Sequence, residues 1–286
     1  MPFKRGYWNK LQTFKPIYEN CTIMKTKYQD FRSAIVYLLI MLATFFSLQA
    51  IVILIHEFTH STTAYLLGAM PGPFSIVWGN FFTMTCWDEG VEYSRLWATG
   101  LGAEGAITGI MPLVVHTILI SCGLYLLLSG VMLKNKWGFH LIFWFIIANM
   151  MELIAYMPMR AFALHGDTGN FNHGLGLNPW LLFFSGTILV LVLVYILLVR
   201  ALPGMYVVVA EGSRKVRYVI FFFSAFFLFI WGSGLRVVLY VWPDPQWMLG
   251  LLGFAAFGLV IWLCRPDMPW ILEEEERMRK KITEGA

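Results

Sequence analysis

A chain of 286 residues that is 58% hydrophobic and only 13% charged has about half the charged side chains of a soluble domain, where about 25% is usual. This excludes an ordinary water-soluble fold and points to an integral membrane protein. The net charge of +4 is small and unevenly spread and offers nothing for nucleic acid, and the widely spaced Cys21, Cys86, Cys122 and Cys264 give no sign of a metal knuckle or disulfide framework.

The first 33 residues are polar and basic, without an early apolar core, and read as an arm and not as a cleavable signal. Six apolar segments follow, judged against the ~20 residues needed to span a bilayer. The first covers 34–67. The second covers 96–133, where Pro112 is placed to kink it. The third covers 139–157, the fourth 180–199, the fifth 218–241 and the sixth 247–263, before a charged tail at 265–286. Between the first two, Pro71-Gly72-Pro73 stops the helix. Two short β-type runs, 74–78 and 81–86, then flank Gly79-Asn80, which predicts a hairpin at 71–87 lying against protein or at the interface. The expected fold class is an all-α polytopic membrane protein of about six transmembrane helices with a short membrane-associated β-hairpin after the first. It divides into a basic arm (1–33), a core of three spans (34–178), three additional helices (179–264) and the tail.

Loop charge sets the orientation. Lys and Arg crowd the arm, the second-to-third connection (Lys134, Lys136), the fourth-to-fifth (Arg200, Arg214, Lys215, Arg217) and the tail, while the alternate loops are poor in them. The positive-inside rule then puts both termini in the cytoplasm. The acidic run Glu273 to Glu276 reads as a solvated helix end, Arg236 as a side chain snorkelling to the interface, and His116 and His140 as structural residues without sequence partners.

The first span ends in His56-Glu57-Phe58-Thr59-His60, an H-E-x-x-H motif. On a helix, residues four apart share a face, so His56 and His60 can grip one metal ion while Glu57 stands close enough to move a proton. Three ionisable groups at the end of a spanning helix are expensive unless compensated, and a divalent metal supplies the compensation. Catalytic zinc usually takes three protein ligands and a water, so a third is needed from elsewhere. Asp167, His165, His173 and Glu152 are the candidates. Glu104 and Glu152, as acids within apolar segments, are further suspects for function.

The longer string His56-Glu57-x-x-His60-x-x-x-Ala64-x-x-x-Gly68 resembles the site-2 protease family (M50) of intramembrane zinc metalloproteases. So does the small-residue run 99–106 (Thr-Gly-Leu-Gly-Ala-Glu-Gly-Ala) after the hairpin candidate. The resemblance covers about residues 34–167. It implies a Zn2+ cofactor held by His56, His60 and Asp167, the last from an Asn-x-x-Pro…Asp-Gly pattern, with Asn149 near the substrate or oxyanion. Asn149 and Pro158 stand nine apart here, and Asp167 is followed by Thr168 and preceded by Gly166, which departs from that pattern. The activity implied is hydrolysis of a membrane protein or peptide substrate within the lipid bilayer, with Glu57 as general base on a metal-activated water. The hairpin would receive the substrate by strand addition. A non-proteolytic zinc-binding transporter or regulator, or a zinc hydrolase of lipid or small amide substrates, is the alternative. Loop charge sets the motif toward the non-cytoplasmic face, whereas the resemblance implies a site nearer the cytoplasm.

Overall fold

The computed structural model describes residues 8–80, 86–240 and 245–284, with backbone alone for 8–28, 240 and 245. The protein is mainly helical. Helix α1 (Trp8–Leu66) carries the motif near its C-terminal end, and the short α2 (Tyr93–Ala98) leads into α3 (Gly102–Leu128). Then come α4 (Lys136–Tyr156), the ten-residue α5 (Gly166–Leu175) and α6 (Pro179–Ile196), which runs through a widened π turn (Leu197–Ala201) into α7 (Leu202–Val208). Helices α8 (Arg214–Ala225) and α9 (Arg236–Tyr240) are joined by a π segment (Phe226–Leu235). The helices α10 (Gly250–Leu263) and α11 (Pro269–Glu284) end the chain.

Among the described residues, six stretches are long and apolar enough to cross a membrane: Gln29–Leu66, Gly102–Leu128, Lys136–Tyr156, Pro179–Val208, Arg214–Leu239 and Gln246–Leu263. Two differ in extent from the sequence pattern for physical reasons. The second segment is cut after Ala98 because Gly100 takes φ +80, a left-handed turn open to glycine, so only α3 spans. The fourth continues to Val208 because the π turn absorbs Pro203, which has no amide to give. Along α6, Leu181, Phe184, Ile188, Leu191 and Tyr195 are all more than half exposed at helical spacing. A face that would aggregate in water is the lipid-facing stripe of a spanning helix.

The core sits around α4, whose Phe139, Phe143, Trp144, Ile146 and Ile147 are wholly buried. Phe45 stacks on Phe227 at 3.6 Å between ring centres, with Trp144 edge-on to both. Helix α5 lies closest to α3, because glycine lets their backbones meet. A Cβ at Gly102 would fall 2.8 Å from the Gly174 carbonyl oxygen, and one at Gly109 would fall 2.8 Å from that of Asp167. The small-residue run read in the sequence is thus the track on which α5 rests.

Three expectations need correction. Among the described residues no sheet forms at 71–87. Val77 and Asp88 make one antiparallel bridge through both backbone hydrogen bonds, 2.7 and 3.3 Å, and residues 81–85 of the second arm lie outside the described residues. A longer ladder on the first arm would lack amides at Pro71 and Pro73. Arg236 does not snorkel: its Nη1 donates to Glu152 Oε1 at 2.7 Å, and the same oxygen accepts from Gln49 Nε2 at 2.8 Å, tying α1, α4 and the fifth span together. The acidic run is not solvated throughout. Glu274 pairs with Arg200 at 3.0 Å, and the buried Glu275 pairs with Arg217 at 2.9 Å, fastening α11 beneath the fourth and fifth spans.

Removing one partner of a buried ion pair strands the other charge and costs about 3–5 kcal/mol. Arg236→Ala is therefore expected to lower the thermal unfolding midpoint of the detergent-solubilised protein clearly, and Arg236→Leu combined with Glu152→Leu to lower it less. Equal midpoints for wild type and Arg236→Ala would show that the pair holds nothing together.

Candidate metal centre

His56 and His60 stand one helical turn apart on α1, with their Nε2 atoms 3.2 Å from each other. Asp167, in the first turn of α5, brings Oδ2 to 3.0 Å from His56 Nε2 and 3.5 Å from His60 Nε2. All three side chains are buried, and they make the one His/Cys/Asp/Glu group of metal-binding shape among the described residues. A tetrahedral ion bound at about 2.0–2.1 Å has ligand–ligand edges of about 3.3 Å. The three observed separations bracket that value. Asp167 Oδ2 is sealed from solvent yet makes no well-aligned hydrogen bond, so its lone pairs are left for a centre between the three atoms. The donor set, two imidazoles and one carboxylate, is the kind that zinc takes.

Local structure explains why α5 delivers Asp167. Gly166 has φ +76, a backbone that L side chains rarely adopt, so this turn favours glycine. That is the physical content of a glycine before the Asp instead of after it. Thr168 Oγ1 donates to the Arg160 carbonyl at 2.7 Å, and Asn172 Nδ2 to that of Ala161 at 2.9 Å, fixing the helix to the turn before it.

The other ring nitrogens are committed too. His60 Nδ1 donates to the Thr108 carbonyl at 2.8 Å. Thr108 lies four residues before Pro112, whose missing amide leaves that carbonyl without its helical donor. His56 Nδ1 meets His116 Nε2 at 3.0 Å, and His116 Nδ1 meets Asn149 Oδ1 at 2.8 Å. The His56 ring is nearly parallel to both neighbours, meeting His116 edge to edge with 5.3 Å between ring centres and lying 5.4 Å from the Tyr156 ring centre.

A cavity of about 350 Å³ opens beside the three atoms, lined by Glu57, Tyr93, Tyr156 and Arg160 and, from the 71–92 connection, by Trp87 and Glu89. Glu57 also lines a hollow of about 40 Å³ that reaches Arg236 and Glu152. Arg160 lies over the Tyr156 ring at 4.5 Å. Burial, followed by the nearby Glu89 and Asp167 charges, pushes the Tyr93 phenol up, so it stays a neutral donor.

His56, Glu57, His60 and Asp167 therefore come together. Asn149 does not line the cavity; it sits behind His56, bonded to His116 and, through Nδ2, to the Phe145 carbonyl at 2.8 Å. His165 precedes α5 and lines the cavity but stays outside the cluster. His173 packs on Trp97 at 4.1 Å, Glu152 is taken by Arg236 and Gln49, and Glu104 joins neither the cluster nor the cavity. Sequence reasoning missed His116, Tyr156 and Arg160. The signal for the first was there: a His and an Asn within two neighbouring spans, each needing a polar partner in lipid. The chain matches no protein-family model, no curated protein and no solved structure.

If the cluster binds metal, zinc content of the purified protein falls to background in His56→Ala and Asp167→Ala and stays at the wild-type level in His165→Ala and His173→Ala. Elemental analysis reads this directly, and loss in His173→Ala with retention in Asp167→Ala would reassign the third ligand.

Proposed function

We propose that the protein is an intramembrane zinc metallopeptidase that cleaves peptide bonds of membrane-associated substrates. The observation that carries this reading is the convergence of His56 Nε2, His60 Nε2 and Asp167 Oδ2 beside a cavity lined by Glu57, at the end of a membrane-long apolar helix. The resemblance of 34–167 to site-2 proteases supports it. Held by His56, His60 and Asp167, Zn2+ would supply Lewis acidity and a water with its pKa lowered to about 7. Glu57 accepts a proton from the attacking water on a carboxylate oxygen and passes it to the nitrogen of the leaving amine, so one water is consumed and a carboxylate and an amine are released. Tyr93, Tyr156 and Arg160 bring hydroxyl and guanidinium donors to the cavity wall, where a carbonyl oxygen gaining charge can be received. Substrate backbone lies along the irregular 86–92 stretch, whose bridge to Val77 leaves room for pairing by strand addition.

An ion-conducting reading needs acidic or His residues free to pass an ion along the spans, and those nearest the site are engaged: Glu152 by Arg236 and Gln49, and His116 by His56 and Asn149. Loop charge places both termini in the cytoplasm and the motif end of α1 toward the opposite face.

Glu57→Gln is expected to keep its zinc and lose about 10²–10⁴-fold in cleavage of a membrane-protein substrate. Undiminished cleavage by a zinc-loaded Glu57→Gln protein would sink the mechanism. For orientation, a single cysteine at position 88 in a cysteine-free background is expected to react with an impermeant thiol reagent added outside intact cells, and one in the tail is not; the reverse pattern inverts the topology.

A further inference from the structure

We infer that His116 and Asn149 are positioning residues that fix the tautomer of His56 and so set the metal affinity of the site, an inference that rests on the metallopeptidase reading. The argument starts from a group with no choice. The Phe145 carbonyl only accepts, so the Asn149 nitrogen at 2.8 Å from it must be the amide donor. The amide is thereby oriented, and its Oδ1 faces His116 as an acceptor at 2.8 Å. His116 Nδ1 must then carry the ring proton, and in the neutral ring Nε2 is left as an acceptor. His56 Nδ1, 3.0 Å away, donates to it. His56 Nε2 is thus the bare nitrogen, and it is the one aimed at Asp167 Oδ2 and His60 Nε2.

Each link is directional, so reversing any one of them puts a proton on His56 Nε2, where a metal ion would have to displace it. All the side chains concerned are buried: His116 and Asn149 are 0% exposed and His56 is 4%. Water cannot substitute for a missing member at no cost. Neither His116 nor Asn149 lines the cavity, so neither touches substrate and both act through His56. The His116 and His56 rings are within 23° of parallel and meet edge to edge, which suits an in-plane N–H···N bond.

The test is zinc affinity of the purified full-length protein, by competition with a chromophoric chelator, together with the visible spectrum of the Co2+-substituted form. Wild type is expected to bind one Zn2+ and give a tetrahedral Co2+ spectrum. His116→Phe keeps the bulk and removes both polar atoms, and is expected to lose about 10–100-fold in affinity. His116→Gln presents an amide oxygen to His56 and an amide N–H to Asn149, the same polarity, and is expected to recover most of the loss. Asn149→Leu leaves both rings in place and is expected to lose about 10-fold or more; it decides the matter if His116→Phe does not fold. Wild-type affinity and spectrum in folded His116→Phe or Asn149→Leu would overturn the inference while leaving the metal site intact. Absence of zinc binding by the wild type would overturn the metallopeptidase reading beneath it.

Discussion

Everything in this bundle answers to one constraint: three lone pairs are aimed at a single point among membrane-spanning helices. In hydrocarbon there is no water to solvate two imidazoles and a carboxylate, so each must be compensated within the protein. His56, His60 and Asp167 converge to 3.0–3.5 Å, a spacing that is costly for acceptors alone and natural for ligands of one cation. The rest of the architecture reads as the means of reaching and holding that arrangement.

Two means stand out, and both lie behind the site. One is steric: glycines on α3 let α5 approach until backbone meets backbone, and only then does Asp167 reach α1. The other is polar. The far nitrogen of each imidazole is tied to α3, by a side chain for His56 and by a carbonyl for His60, while Glu152, Gln49 and Arg236 close the polar groups of three spans against one another. The wall opposite is made differently. The 71–92 connection has little regular structure; among its described residues it is tied by the Val77–Asp88 bridge and by the Pro73 carbonyl, which accepts from Ser61 Oγ at 2.8 Å and from Thr62 Oγ1 at 2.9 Å.

What was legible in the sequence follows from range. The spans were legible because ~20 apolar residues carry their own signal, and the pair His56 and His60 because helical geometry alone puts them together. Asp167 stood among rival ligands, since its choice depends on the packing of α5 on α3, which no local pattern encodes. Asn149 was singled out as a residue near the substrate, yet its partner is His116, thirty-three positions away, and the pairing turns it from the cavity toward the ring behind His56. Arg236 and Glu275 were misread for the same reason: a charge near a span end looks solvated until the helix that covers it is known. The hairpin is left with one bridge, Val77 to Asp88, and residues 81–85 of its second arm lie outside the described residues.

Pro112 looks like a flaw in a membrane helix, a ring that deprives one carbonyl of its donor. His60 takes up that carbonyl, and the bond has a consequence for motion. It fixes how far α1 can slide along α3, since a shift of one residue, about 1.5 Å, would carry the His60 nitrogen away from Thr108 and leave a bare carbonyl in lipid. The His56–His116 contact, two turns further along α3, forbids the same slide independently. The two helices therefore behave as one rigid rail with a fixed register. Any breathing of the bundle falls to the parts not keyed to that rail.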